Sequence, residues 1–483
     1  MASNTESSKL NLENSCALSN PPMPRLRSLI LLTLLTLSLP TLGLACKSQV
    51  QAPPVKLTYW RVFDGPDTMA DIISDYRRVH SNVTIEYRKM QYEDYEQQIV
   101  NALAEDRGPD IFSIHNTWIG KYQPKIVPLP KTVTLPFQIV QQNLIGQDVI
   151  TELRTIPTIT PATIRKDFVD VVGRDVIRTV PTPDRRTTEQ VLGLPLAVDT
   201  LVLYYNKDIL NATGIATPPA TWTDFLKDVT RITRLDDKGN IIVAGAALGM
   251  ANNIPRFSDI LTALMAQNGA VMTNATGYAT FTLPPPQSPN KNFHPGVEAA
   301  RFYTDFASPT KEAYTWNASM PDALEAFTQG RVAFFFGYAY HLPTIRSRAP
   351  QLNWGVTSLP QADPERNTVN MANYWVETVS KKTAHPSEAW DFIQFAAKAA
   401  EAQRYLAKAQ KPTALRSLIQ QQLQDPLLEP FANQLLTAQS WYRGRDAGLA
   451  EEALAQMVTS ILNSTDPEVA ANLAVQRINQ TIR

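Results

Sequence analysis

Trp60 stands just before Asp64, Asn116 just before Trp118, and Asn373 just before Trp375, while Tyr338 and Tyr340 flank a single alanine. An aromatic face beside a carboxylate or amide neither makes nor breaks bonds. It suits reversible capture of a molecule that has apolar C–H faces and a rim of hydroxyls, as sugars have. Other aromatic residues read differently. Trp222 and Trp390 fall at core-like helical positions, Trp354 reads as a buried strand residue, and the loop before Trp316 leaves its direction open. The pair Tyr204-Tyr205 could suggest ferric ion, but it lies in a β-branched and aromatic run that reads as a core strand.

Bond-making chemistry finds less support. A glycoside hydrolase needs two carboxylates about 5 to 10 Å apart across a cleft; Asp64 and Asp199 are the available pair, and no hydrolase signature surrounds either. There is no G-x-S-x-G nucleophile elbow and no Gly-rich phosphate loop. The five histidines are scattered without metal-ligand spacing, and Cys16 and Cys46 both precede the globular part. No cofactor or metal is therefore expected, nor an enzyme. Lys plus Arg equals Asp plus Glu at 45 each, without an extended basic run, which gives nucleic acid no electrostatic footprint.

The N-terminus reads as an address. Ser28 to Ala45 is a Leu-rich stretch behind Arg25 and Arg27, ending in small residues, which is the layout of an export signal over residues 1–45. A second start at Met23 would give a more compact signal. The end, Leu42-Gly43-Leu44-Ala45-Cys46, resembles a bacterial lipobox, with Gly43 where Leu is usual. It implies lipidation of Cys46, with residues 46–54 as a polar tether. An uncleaved membrane anchor is the alternative, since the apolar run reaches the limit of roughly 18 residues. Both readings place the rest of the chain outside the cytoplasm.

The elements that must position these residues follow from periodicity. At 483 residues the chain exceeds a single hydrophobic core, so two lobes are expected. Leu57 to Phe63 reads as a strand, Met69 to Val79 as a helix, Val83 to Tyr87 as a strand, Tyr92 to Leu103 as a helix and Ile111 to Ile114 as a strand. This β-α-β-α-β order predicts a parallel sheet. Val127 to Arg186 reads as an irregular insertion with helical stretches near Phe137 to Leu153 and Ile164 to Val172. Strands are expected at Leu201 to Tyr205, Val332 to Phe336 and Asn353 to Leu359, and helices at Thr221 to Arg234, Asp259 to Gly269 and from Pro386 onward.

Four stretches together resemble the family 1 extracellular solute-binding proteins, the group typified by maltose-binding protein. They are Ile72 to Tyr87 with Gly108-Pro109-Asp110-Ile111; Gly193-Leu194-Pro195 through Leu203-Tyr204-Tyr205-Asn206-Lys207-Asp208 to Thr221-Trp222; Gly330-Arg331-Val332-Ala333-Phe334 with Trp354-Gly355-Val356; and Val379-Ser380-Lys381-Lys382 with Ala389-Trp390-Asp391-Phe392-Ile393. The resemblance implies a two-lobe, type II periplasmic-binding-protein-like α/β fold with the ligand in the cleft between lobes. By position it implies crossings near Thr200 to Leu203, Phe334 to Gly337 and Val376 to Val379. The first lobe is then 55–200 with 336–376, and the second 201–335 with 377–483. It also implies an acidic ligand contact at Asp199 and a stacking aromatic at Trp441. The partners it implies are a carbohydrate, the permease subunits of an ABC importer and, through the lipid, the membrane, for a monomeric carrier. A tethered receptor that reports solute to a membrane sensor would use the same fold.

Overall fold

The computed structural model describes residues 52–143 and 146–482. The expected export signal and the lipidated Cys46 lie outside the described residues.

Two hydrophobic cores organise the chain. The first forms on a sheet in the order Trp375–Val379, Ile111–His115, Val55–Val62, Val83–Met90. Val55–Val62 runs parallel to both Val83–Met90 and Ile111–His115. Its inward side chains Val55, Leu57 and Tyr59 are buried while the intervening ones are less so, as period-two alternation requires. The second core surrounds a sheet in the order Arg234–Leu235, Ile241–Ala246, Val332–Gly337, Val202–Asn206, Trp354–Ser358. Val332–Gly337 is buried along its whole length, which explains its unbroken apolar run. Trp222 lies against Phe336 at 5.6 Å and donates Nε1–H to Gln267 at 2.6 Å. Trp390 donates to the Val127 carbonyl at 3.1 Å. Tyr204 is buried in the core and its hydroxyl donates to the Tyr338 carbonyl at 2.7 Å, so it does not pair with Tyr205 around an ion.

A small sheet, Ala438–Gln439, Asn370–Asn373, Asp199–Thr200, joins the lobes. Here nearby residues divide between the cores: Val198 packs in the first and Leu201 in the second, Ala372 in the first and Met371 in the second, Ala438 in the first and Tyr442 in the second. The expected crossing at Phe334 to Gly337 is absent, because that strand ends inside the second lobe and leads to Leu342 and Ile345 of the same core. The third crossing is at Ala438–Gln439.

The lobe boundaries shift accordingly. Residues 336–376 were expected in the first lobe, yet Leu342, Ile345 and Leu359 are buried in the second. Residues 377–483 were expected in the second, yet Trp390, Ile393, Tyr405 and Leu418 are buried in the first. The cause is the strand Trp375–Val379, which adds antiparallel to Ile111–His115 and carries the following helices Pro386–Ala396 and Ala399–Ala409 onto that sheet. Phe392 meets Tyr76 at 5.2 Å and Tyr59 at 5.9 Å.

The stretch 127–186 is more regular than expected. Thr132–Asn143 and Gly146–Pro157 pair as a long antiparallel hairpin where a helix was anticipated. Val133 and Leu135 point inward and Thr134 outward, with a cross-strand Thr134–Thr155 hydrogen bond of 2.9 Å. The second expected helix is split into Pro161–Asp167 and Asp170–Val176 by extended backbone at Phe168 and Val169.

Candidate ligand cleft

A cavity of about 490 Å³ opens between the lobes, beside the small connecting sheet. Its first wall is aromatic. Trp118 closes the short turn Asn116–Trp118 directly after the strand Ile111–His115, and Trp375 begins the neighbouring strand, in register with His115. The two indoles meet edge to face at 5.4 Å, and Trp375 also touches His115 at 5.7 Å and Tyr95 at 5.8 Å. Trp118 lies over Tyr122 at 6.1 Å. Burial, with the Arg256 charge second, pushes the His115 imidazole down to about 4. Its Nδ1 lies 2.7 Å from the Thr117 hydroxyl.

The second wall is ionic. Arg256 precedes the helix Phe257–Gln267 in the left-handed conformation, φ 58°. Its guanidinium forks onto Asp259, with Nε to Oδ2 2.8 Å and Nη2 to Oδ1 2.7 Å. Asp259 also accepts from the Tyr338 hydroxyl at 2.6 Å and the Asn373 amide at 3.4 Å. Burial opposes ionisation of Asp259, but Arg256 and these hydrogen bonds outweigh it and hold the carboxyl below its ordinary range. Glu451 lies 3.7 Å from Arg256 and accepts from Ser258 at 3.0 Å. Tyr340 and Trp441 add aromatic surface on this side.

Behind the first wall lies a buried ionic cluster. Arg61 Nη2 sits 3.2 Å from both Asp64 and Glu377, and Lys411 sits 2.6 Å from Asp64. The Tyr405 hydroxyl donates to Asp64 at 2.7 Å and the Tyr59 hydroxyl to Glu377 at 2.6 Å. Burial opposes the charge on Asp64, but Lys411 and then Arg61 reverse the balance and lower its carboxyl.

Of the residues singled out by sequence, Trp118, Asp199, Tyr340, Asn373, Trp375 and Trp441 line the cavity together. Asp199 accepts from the backbone N–H of Thr200 at 2.9 Å and of Ala339 at 3.1 Å, linking a crossing segment to the second lobe. Burial pushes its carboxyl up to about 7 against those bonds.

Four others are placed elsewhere. Trp60 lies within the first strand, which runs on to Val62, and packs under the Arg88 guanidinium at 5.3 Å. Asp64 is bound into the cluster behind the wall by Lys411 at 2.6 Å and does not line the cavity, whereas Asp199 does. Asn116 is 2% exposed and donates to Asp175 at 3.3 Å. Tyr338 is fully buried and holds Asp259 from behind.

Arg61, Phe63, Tyr92, Arg256, Asp259 and Lys411 escaped the sequence reading. One signal was present: Arg256 and Asp259 are spaced i, i+3 across a helix start, where a first-turn Asp and a fork-shaped partner can pair. Asp175 also escaped. It is fully buried and accepts from Tyr374 at 2.8 Å and Ser440 at 2.6 Å, with Arg443 at 2.7 Å, so it ties both later crossings to the first lobe.

Comparison with known proteins agrees with this architecture. A cyclic α-maltosyl-1,6-maltose binding protein from Arthrobacter globiformis superposes with a TM-score of 0.66 at 16% identity, over 89% of this chain and 99% of that one. In sequence, a binding protein of Brucella abortus is 25% identical over 207 residues, 42% of this chain and 46% of its own. An ABC transporter-binding protein of Deinococcus radiodurans is 21% identical over 293 residues, 59% of this chain and 67% of its own. The chain thus spans about half the length of the first of these curated relatives. The model of the bacterial extracellular solute-binding proteins matches residues 64–403, across both lobes and the cleft between them, and the chain belongs to that family.

Proposed function

We propose that this protein captures a saccharide in the cleft between its lobes and delivers it to the permease of an ABC importer, without altering it chemically. The observation that carries the reading is the wall formed by Trp118 and Trp375, two indoles fixed at a sheet edge and facing a polar opposite wall. Flat aromatic surface stacks on the C–H face of a sugar ring, while Asn373, Asp199 and the Asp259–Arg256 pair offer acceptors and donors to its hydroxyls. The small three-stranded sheet supports hinge motion, because few residues cross between the cores there. The ABC-binding relative from Deinococcus and the saccharide-binding neighbour from Arthrobacter support partner and ligand class. Lipidation at Cys46 would keep this monomeric carrier at the membrane beside its permease.

Calorimetric titration of a saccharide panel, repeated with Trp118→Ala, tests the proposal. The variant should bind more weakly by about 1 to 3 kcal/mol with its melting curve largely kept, on the scale of a truncated aromatic anchor. Unchanged affinity would remove Trp118 from the site.

A further inference from the structure

The cations of the cleft are already occupied. Among the described residues lining it, Arg61, Arg256 and Lys411 carry positive charge. Arg61 contacts Asp64 and Glu377, Lys411 contacts Asp64, and Arg256 contacts Asp259 and Glu451. Three cations therefore share four carboxylates. Asp199 adds another acid, held by backbone N–H groups, and Glu96 is turned to Lys121 at 2.8 Å. The geometry of the Arg256 fork sharpens this. A bidentate guanidinium is a natural receptor for a carboxylate or phosphate; here its Nε/Nη2 edge is spent on Asp259, at 2.8 and 2.7 Å, and its Nη1 side faces the Glu451 carboxylate at 3.7 Å. An anionic ligand would have to displace Asp259, leaving a carboxylate buried without its partner, or sit among surplus negative charge. A hydroxyl needs neither; it can share an outer lone pair of Asp259 or Glu451.

We infer that this cleft admits saccharides that carry no negative charge and turns away phosphorylated and uronic ones, because its own carboxylates fill every cation that could receive an anion. The inference rests on the saccharide-capture reading above and deepens it. Like charges brought together in a binding site cost several kcal/mol, so discrimination should be large.

The test titrates the full chain with neutral di- to tetrasaccharides of glucose, mannose and galactose, and with hexose 6-phosphates and uronic oligosaccharides of matched size. The best neutral probe should bind at least about 100-fold more tightly than its anionic counterpart. Asp259→Asn, which keeps the shape and frees the guanidinium fork, should narrow that ratio by about tenfold. Glu451→Gln should narrow it less and serves if the first variant folds poorly, since Glu451 lies at the more exposed edge. An anionic sugar that binds as tightly as its neutral counterpart overturns the inference while leaving saccharide capture intact. A large ratio that neither variant moves also overturns it, because the exclusion is then steric. Failure of every saccharide, neutral or charged, brings down the capture reading and the inference together.

Discussion

On the first wall of the cleft, Trp118 and Trp375 are held by ring contacts, and the ionic cluster of Arg61, Asp64, Glu377 and Lys411 lies behind them, where Arg61 is 4% exposed and Glu377 1%. On the second wall the order is reversed: the Arg256–Asp259 pair faces the cavity, Arg256 keeps 24% of its side chain exposed, and the aromatic Tyr338 stands behind. One lobe presents apolar surface backed by charge; the other presents charge backed by an aromatic residue. A bound sugar would therefore meet a face to stack on and, opposite, groups that read its hydroxyls. Of the charges behind the first wall, Asp64 and Glu377 lie off the cavity lining, while Arg61 and Lys411 reach it already paired to them. Those charges should govern folding, and the exposed ones binding.

The largest expected effect breaks this comparison at its most buried point. Glu377→Ala leaves Arg61 short of a counter-charge and takes the acceptor from the Tyr59 and Ser113 hydroxyls. Denaturant unfolding should show a loss of about 3 to 5 kcal/mol, the cost of stranding a buried charge. Asp259→Ala should cost clearly less in stability, because Arg256 can turn to solvent and to Glu451, yet should cost more in saccharide affinity. Equal stability losses would mean that the two walls are buried alike.

Titration sharpens the comparison next. His115 and His341 are pushed down to about 4 by burial, while burial lifts Asp199 to about 7. At about pH 5 to 6 the unfolded chain, with ordinary values near 6.5 and 3.9, protonates both histidines and leaves the aspartate ionised. The folded chain does the opposite at all three groups. Unfolding therefore takes up two protons at the histidines and releases one at Asp199, and these groups make stability fall on acidification by about 1.4 kcal/mol per pH unit. Asp199→Asn removes the opposing group and should roughly double that slope, and His115→Gln should bring it close to zero. Urea midpoints across this window measure all three slopes; parallel curves would show that these groups titrate alike folded and unfolded.

The two walls also differed in how far the sequence disclosed them. Trp118 follows the short apolar run Ile111 to Ile114, so local pattern places it beyond a strand's end, and Trp375 stands at the start of a segment expected to cross between lobes. Arg256 follows the irregular stretch Ala251 to Pro255 in a left-handed turn that no periodicity announces. Lobe membership failed for a different reason. Residues 377–423 go with the first core because Trp375–Val379 pairs with Ile111–His115, a contact between segments far apart in sequence that leaves no local trace. The hairpin 132–157 was missed because Phe137 to Leu153 mixes apolar and polar residues at spacings that a helix can also accommodate. Trp60 and Asn116 were placed in the cleft by their nearness to strand ends. Neither lines it, since the first strand continues two residues past Trp60 and Asp175 draws Asn116 into the interior.

The smallest effect concerns the place where the two walls touch. Phe63 follows the first strand in a left-handed conformation, φ 66°, and is 39% exposed. Its ring lies 5.2 Å from Tyr92 of its own lobe and 6.0 Å from Tyr340 of the other, within 6° of parallel to the latter. An offset aromatic pair contributes about 0.5 to 1.5 kcal/mol beyond the area it buries, and a half-exposed pair belongs at the lower end. Phe63→Ala retains the unfavourable backbone conformation, so a double-mutant cycle with Tyr340→Ala isolates the ring contact from that strain. Measured by unfolding of the ligand-free chain, the coupling should be about 0.5 kcal/mol. Small-angle scattering of Phe63→Ala should show a larger mean radius of gyration than the parent if the contact helps hold the lobes together. Zero coupling with an unchanged radius would show that the aromatic bridge forms only after ligand has closed the cleft, leaving each wall to stand independently until then.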